Sequence, residues 1–181
     1  LYALTKPKAE ELFPDGVHPN GKGGRILAKA VTSTIRVQLL EAQRVRESGR
    51  ILISNIGSER ATQGNGNKIV TLGDKTHIVW QDSIDEGYFA RVRTLHRKTG
   101  KWSKVFTLGK GRDNHARPTI TADSRGFLHI IIGGHGSGLQ YRRSVRVNDA
   151  SEWTPVEKFG RSTYPILICG PDDTLYITGR H

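Results

Sequence analysis

Methionine is absent from the 181 residues, cysteine occurs once, and no apolar run is long enough to cross a membrane as a helix. Without an initiator methionine, and with a start on Leu1 and a stop on Gly179-Arg180-His181 just after a strand-like alternation, the chain is expected to be a piece cut at both ends. The lack of a signal peptide then carries no information on location. The single cysteine, Cys169, excludes an internal disulfide framework and a cysteine-rich zinc motif, and reads as a small strand residue. Acidic side chains are scarce as well, 17 against 28 Lys and Arg, for a net charge of +11. The excess is spread, +4 over the first fifty residues and +7 over the rest, so it is no basic tail. Spread basicity favours an anionic partner, either a nucleic acid or a charged polysaccharide. No zinc-finger, RRM or basic-zipper pattern accompanies it, and charge alone leaves that choice open. The partner expected from the reading as a whole is an anionic polysaccharide, with no nucleic acid and no membrane.

What is present is glycine, 21 residues of it, in a β-leaning chain. The exception is the N-terminal stretch. Asp15-Gly16-Val17-His18-Pro19-Asn20 leads through glycines into a segment where Leu27, Val31, Ile35 and Leu39 fall four apart. With Asn20 as N-cap, that spacing predicts an amphipathic helix reaching about Arg46. Glu41 to Gly49 reads as a linker and Ile51 to Ser54 as a short strand, followed by a polar loop from Ser58 to Lys68.

From there the chain repeats. Ile69–Leu72 with His77–Trp80, Thr119–Thr121 with Phe127–Ile132, and Pro165–Cys169 with Leu175–Thr178 each flank a polar turn and read as hairpins. After the first two comes a further strand pair, Tyr88–His96 with Trp102–Leu108 and Leu139–Val145 with Trp153–Phe159. Trp102 and Trp153 lie 51 residues apart, as do Gly109 and Gly160. Four antiparallel strands repeated about every fifty residues predict β-propeller blades. The expected fold class is mainly β, a partial propeller of about two and a half blades, preceded by the α-helix. The domains expected are 1–46, a linker with a first strand at 47–66, and a propeller part at 67–181.

Chemistry concentrates around the middle hairpin. His115 precedes its first strand and His135 follows its second, so the hairpin brings both to one rim. Registering the repeats on Pro118 and Pro165 places Tyr164 and Arg180 at the equivalent positions of the next unit. Asn114, Tyr141 and Arg143 are candidates to line the same rim and bind substrate. Two histidines, a tyrosine and an arginine suit β-elimination from a uronic acid. Arg180 can pair with the carboxylate, His115 and Tyr164 can act as base and acid, and His135 can support the carboxylate or the substrate. His77, His96 and His129 fall within strands or turns and are read as structural, and Arg142, Arg143 and Arg146 together as a solvated or anion-facing edge. A polar rim without catalysis remains the plain alternative for either histidine taken singly.

Two resemblances extend this reading. The Asp15 to Asn20 block with its following glycines and helix resembles the last conserved block of SGNH/GDSL-type esterases. That resemblance implies Asp15 and His18 as two members of a Ser-His-Asp triad whose serine lies upstream of Leu1, so residues 1–46 would be an inactive remnant. The run from Gly66 to His181 resembles propellers of the BNR-repeat-containing group, which includes ulvan lyases. In those lyases a histidine before a blade, another about twenty residues on, and a later tyrosine and arginine form the active site. The resemblance implies those roles for His115, His135, Tyr164 and Arg180. It also implies an extracellular or periplasmic polysaccharide lyase acting on an anionic uronate-containing polysaccharide. No cofactor is expected within these residues, any structural zinc or calcium belonging to later blades. The alternatives are a non-catalytic glycan-binding propeller attached to an SGNH esterase, and a sialidase-like glycoside hydrolase. The sialidase reading is disfavoured, because the Arg97 to Trp102 turn lacks the serine and paired aspartates of an aspartate box.

Overall fold

The computed structural model describes residues 49–58, 60 and 66–180. The predicted helix, Asp15 and His18 lie outside the described residues. Within them the protein is all β, with eleven strands and no helix, and everything from Ser54 onward belongs to one compact unit.

Three antiparallel sheets follow one another along the chain. The first contains β1 (Ile69–Leu72), β2 (Lys75–Ile84), β3 (Gly87–His96), β4 (Lys101–Trp102) and β5 (Phe106–Gly111). They run in the order β1-β2-β3, with β4 and β5 both pairing β3. The second is β6 (Thr119–Ala122), β7 (Leu128–Ile132), β8 (Gly138–Arg143) and β9 (Glu157–Arg161), each paired with the next. The third is the hairpin β10 (Thr163–Cys169) and β11 (Leu175–Arg180). All three hairpins expected from the turn chemistry are there.

Three local readings change. Trp153–Phe159 is no continuous strand; Trp153 makes an isolated bridge to Ser144 and β9 begins at Glu157. Ile51–Ser54 forms no strand; Ile51 and Leu52 are exposed, and the sheet edge is instead met at Gly57, which bridges Asp82. Trp102–Leu108 is split into β4 and β5, because the ladder on β3 is interrupted at Ser103, whose hydroxyl accepts the Thr94 N–H and whose carbonyl accepts from the Arg93 guanidinium.

The packing explains the most apolar stretch in the chain. All five residues of β7 are buried, where a half-solvated strand would alternate. Leu128, Ile130 and Ile132 join one core cluster with Val79, Ala90, Val92 and Leu108 of the first sheet. Ile131 faces the other way and packs with Leu139 and Leu167 toward the third. The second sheet is therefore covered on both faces, and its middle strand reads as a continuous apolar run. Arg142, expected at a solvated edge, is half-buried and donates to the carbonyls of Leu108, Trp153 and Thr154, tying the first sheet to the second. Asp173 of the third hairpin's turn accepts both the backbone N–H and the hydroxyl of Ser124, each at 2.7 Å, and so ties the third to the second.

Candidate active site

The loop from β5 to β6 supplies the first histidine. Asp113 Oδ1 accepts the His115 backbone N–H at 2.8 Å, and the Asp113 carbonyl accepts from Ala116 N, closing a tight turn. The fully buried Gln81 of β2 donates to that same carbonyl at 3.0 Å, fixing the turn to the first sheet.

The loop after β7 supplies the second. Ser137 N donates to the Gly134 carbonyl, and Gly136 N donates to the Thr163 hydroxyl at the start of β10. Gly134 packs directly on the His115 backbone. A Cβ there would stand 2.6 Å from the His115 carbonyl carbon and oxygen, so only glycine permits the two loops to approach this closely. As a result the His115 and His135 rings lie with centroids 3.6 Å apart, tilted by 37°.

Tyr164 arrives through a bulge. Thr163 pairs with Arg180 and Ile166 with Thr178, so Tyr164 and Pro165 together face the single residue Gly179. Pro165 has no N–H to lose from the ladder, which suits it to the irregular place. Tyr164 takes the left-handed conformation there, φ 56°, and its ring centroid stands 5.7 Å from that of His115. Arg180, at the end of β11, lies over the Tyr164 ring at 5.2 Å, and Arg117 lies over it at 5.3 Å. His115, His135, Tyr164 and Arg180 therefore converge.

Of the other candidates, Asn114 sits half-buried in the turn between Asp113 and His115. Tyr141 and Arg143 do not reach the rim. On β8, Tyr141 is registered opposite Ile131 and Arg143 opposite His129, which carries both toward the turn end of the hairpin. There the Tyr141 hydroxyl meets His129 Nδ1 at 2.8 Å and Arg143 covers the Phe127 ring.

Three participants were missed. Asp113 Oδ2 meets His135 Nδ1 at 2.7 Å, so one carboxylate serves both histidine loops. The signal was in the sequence: an Asp two residues before a His, at a turn entry, is an Asx-turn pattern. Arg117 is buried beneath Tyr164, and Lys68 reaches the Pro118 carbonyl.

The electrostatics follow from burial and neighbours. Burial, then His135 and Arg60, hold the His115 imidazole below its ordinary value, so it is neutral at neutral pH. Burial works against the ionised Asp113, but the His115 N–H and the His135 hydrogen bond outweigh it and keep its carboxyl below the usual range. Burial and the charge of Arg117 bring the Lys68 ammonium down to about 8. Asp113, His115 and His135 also offer three ligand atoms within 4.8 Å of one another, a set that could hold a metal ion. Arg117 and Arg180 on the adjoining tyrosine and Arg60 beside His115 oppose a dication there. The same charges favour an organic anion. What the rim can do is bind a carboxylate, accept a proton at a neutral imidazole, and supply one from a phenol.

Comparisons with known proteins bear on the family and the fold. A family model described as a BNR repeat-containing family member matches residues 73–181. A protein named ulvan lyase-PL25 from Pseudoalteromonas sp. (strain PLSV) is 32% identical, over 59% of this chain and 26% of that protein. Ulvan lyases from Nonlabens ulvanivorans and Alteromonas sp. (strain LOR) are 26% and 32% identical, again over 59% of this chain. The chain thus spans only about a quarter of the length of these relatives, 26–28%. The crystal structure of polysaccharide lyase Uly1 superposes with a TM-score of 0.51 at 13% identity, over 70% of this chain and 38% of that one, a likeness of fold.

Proposed function

The chain belongs to the BNR repeat-containing family, and from that premise we propose that it is part of a polysaccharide lyase cleaving an anionic, uronate-containing polysaccharide by β-elimination. The observation that carries the proposal is the convergence of His115, His135, Tyr164 and Arg180 from three separate loops and strand ends. Relatives named ulvan lyases support the reaction class and the anionic substrate.

Arg180, exposed at the end of β11, pairs with the uronate carboxylate and stabilises the charge that grows on it as the enolate forms. Neutral His115 takes the C5 proton. The C4–O4 bond then breaks, C4 and C5 become doubly bonded, and the departing O4 takes a proton from the Tyr164 hydroxyl. His135 lies against His115 and holds the sugar on the open side. In this reading the three sheets are successive propeller blades, and the rim is the face near the central axis.

The test is incubation of the protein that carries this chain with ulvan and other uronate polymers, following the ultraviolet absorbance of the new conjugated double bond. Growing absorbance is expected. Binding to such a polymer with no absorbance on any of them would replace the lyase by a glycan-binding module.

A further inference from the structure

The Asp113 carboxylate has its two oxygens committed to different loops. Oδ1 accepts the His115 backbone N–H at 2.8 Å and Oδ2 meets His135 Nδ1 at 2.7 Å. His135 needs such a partner. Its side chain is 44% exposed, it lies between Gly134 and Gly136, and its backbone is left-handed at φ 47°, so little else but the His115 ring restrains it. We infer that Asp113 is a positioning residue that fixes His135 as its Nδ1–H tautomer, leaving the Nε2 lone pair as the atom presented to substrate. An ionised carboxylate only accepts hydrogen bonds, so the nitrogen that faces it must carry the proton. Nε2 of the neutral ring then has no hydrogen and can only accept. His135 thereby meets a sugar hydroxyl as an acceptor, never as a donor.

Replacement by asparagine makes a sharp prediction. In Asp113→Asn the amide oxygen can remain on the His115 N–H and keep the turn closed. Its NH2 then faces His135 Nδ1 and must donate, forcing Nδ1 to accept and moving the ring proton to Nε2. A residue that only capped the turn would leave the His135 tautomer as it was.

The test is a long-range 1H–15N correlation spectrum of the 15N-histidine-labelled chain at about pH 8, above the ordinary imidazole range. His135 is assigned by the signals lost in His135→Gln. The expected result is a pyrrole-type Nδ1 and a pyridine-type Nε2 for His135, reversed in Asp113→Asn. An Nε2–H tautomer in the unmodified chain would overturn the inference whether or not the variant folds, as would an unchanged tautomer in the variant. Micromolar zinc that shifts the ring-nitrogen signals of His115 and His135 together and strips the Nδ1 proton from His135 would show a metal centre and overturn it too. The consequence for turnover rests on the lyase proposal. In the protein that carries this chain, Asp113→Asn should lower kcat on the order of a hundredfold with KM little changed. Unchanged kcat would remove the positioning role, whereas an unmodified protein with no lyase activity and the expected tautomer would sink only the lyase proposal.

Discussion

The β6–β7 hairpin has an Asp, a His, a Tyr and an Arg gathered at each of its two ends, and only one end is open. At the turn end, Asp123, His129, Tyr141 and Arg143 close on one another. His129 Nδ1 meets the Tyr141 hydroxyl at 2.8 Å, its Nε2 faces Asp123 at 3.5 Å, and its side chain is 7% exposed. Asp123 Oδ1 also accepts the Phe127 N–H, which makes this cluster the lock of the turn. At the other end, Asp113, His115, His135, Tyr164 and Arg180 come from three loops and strand ends, with His135 and Arg180 open to solvent. Backbone conformation separates the two ends further. Among the described residues, four non-glycines have φ clearly positive; Asn148 and Asp173 are types that tolerate it, and the others are His135 and Tyr164. Residue types alone would have chosen either end. Exposure and held strain choose the rim.

The largest effect expected is on turnover. His115→Ala, or Tyr164→Phe, should lower kcat of the protein that carries this chain by about 10²–10⁴-fold while leaving its unfolding midpoint nearly unchanged. The matched changes at the turn end should do the opposite. His129→Ala is expected to cost about 2–3 kcal/mol of stability, because it empties a buried position and strands Asp123 and Tyr141; Tyr141→Phe should cost ~1 kcal/mol. Steady-state kinetics beside urea melts separate the two sets. If His129→Ala abolished turnover at full stability, the distinction between the ends would collapse.

Gly134→Ala tests how the rim is assembled. The added methyl would meet the His115 and Ala116 backbones at 2.6–2.8 Å, and backbone cannot turn aside as a side-chain tip can. The loops must part, taking the two imidazoles out of contact. A shift of about 1 Å at reacting groups costs roughly a hundredfold in rate. The same variant should leave the His129 cluster untouched, which the retained 15N signals of His129 would report.

Much of this architecture was legible in the chain, for physical reasons that can be named. Turn residues such as Gly73-Asp74 and Asp123 to Gly126 announce hairpins, and a fifty-residue spacing between tryptophans announces repeated sheets. The four rim residues were legible because hairpin ends must meet and repeats place equivalents side by side. Asp113 escaped notice because its role depends on a 2.7 Å approach between loops 22 residues apart, which periodicity does not encode. Tyr141 and Arg143 were misplaced because their face depends on the register of β8 against β7. Spacing alone leaves that register open, and a change in it moves a side chain to a different neighbour. The Tyr164 bulge was likewise invisible, since Pro165 marks an irregular strand without saying which neighbour it redirects.

Acid should weaken both ends, and the first sheet with them. Burial holds His77, His115 and His129 below their ordinary value of 6.5, so the folded state favours the neutral ring. Each group therefore contributes its stability in full above about pH 6.5, and loses it as pH falls from there through the lower folded value. Urea midpoints measured at about pH 8 and about pH 5.5 should drop at the lower pH, and His129→Gln should flatten the drop. A midpoint that rose on acidification would contradict the neutral state assigned to these rings.

The smallest effect expected is the most specific to the comparison. A left-handed L-residue costs roughly 1–2 kcal/mol relative to the ordinary helical region, while glycine pays about 0.5–1 kcal/mol in chain entropy. His135 is exposed, so beyond the His115 ring and the Asp113 contact its ring adds little packing to set against that difference. His135→Gly should consequently raise stability, by up to about 1 kcal/mol, while losing the Asp113 contact and the activity that depends on it. At the turn end no such exchange is available: His129 lies in an ordinary strand, and glycine there removes a buried ring and gains nothing from the backbone. Stabilisation at His135 with loss of turnover, against destabilisation at His129, would mark the rim as the end where conformation is held against its own preference. A loss of stability in both variants would leave the φ of His135 without functional weight.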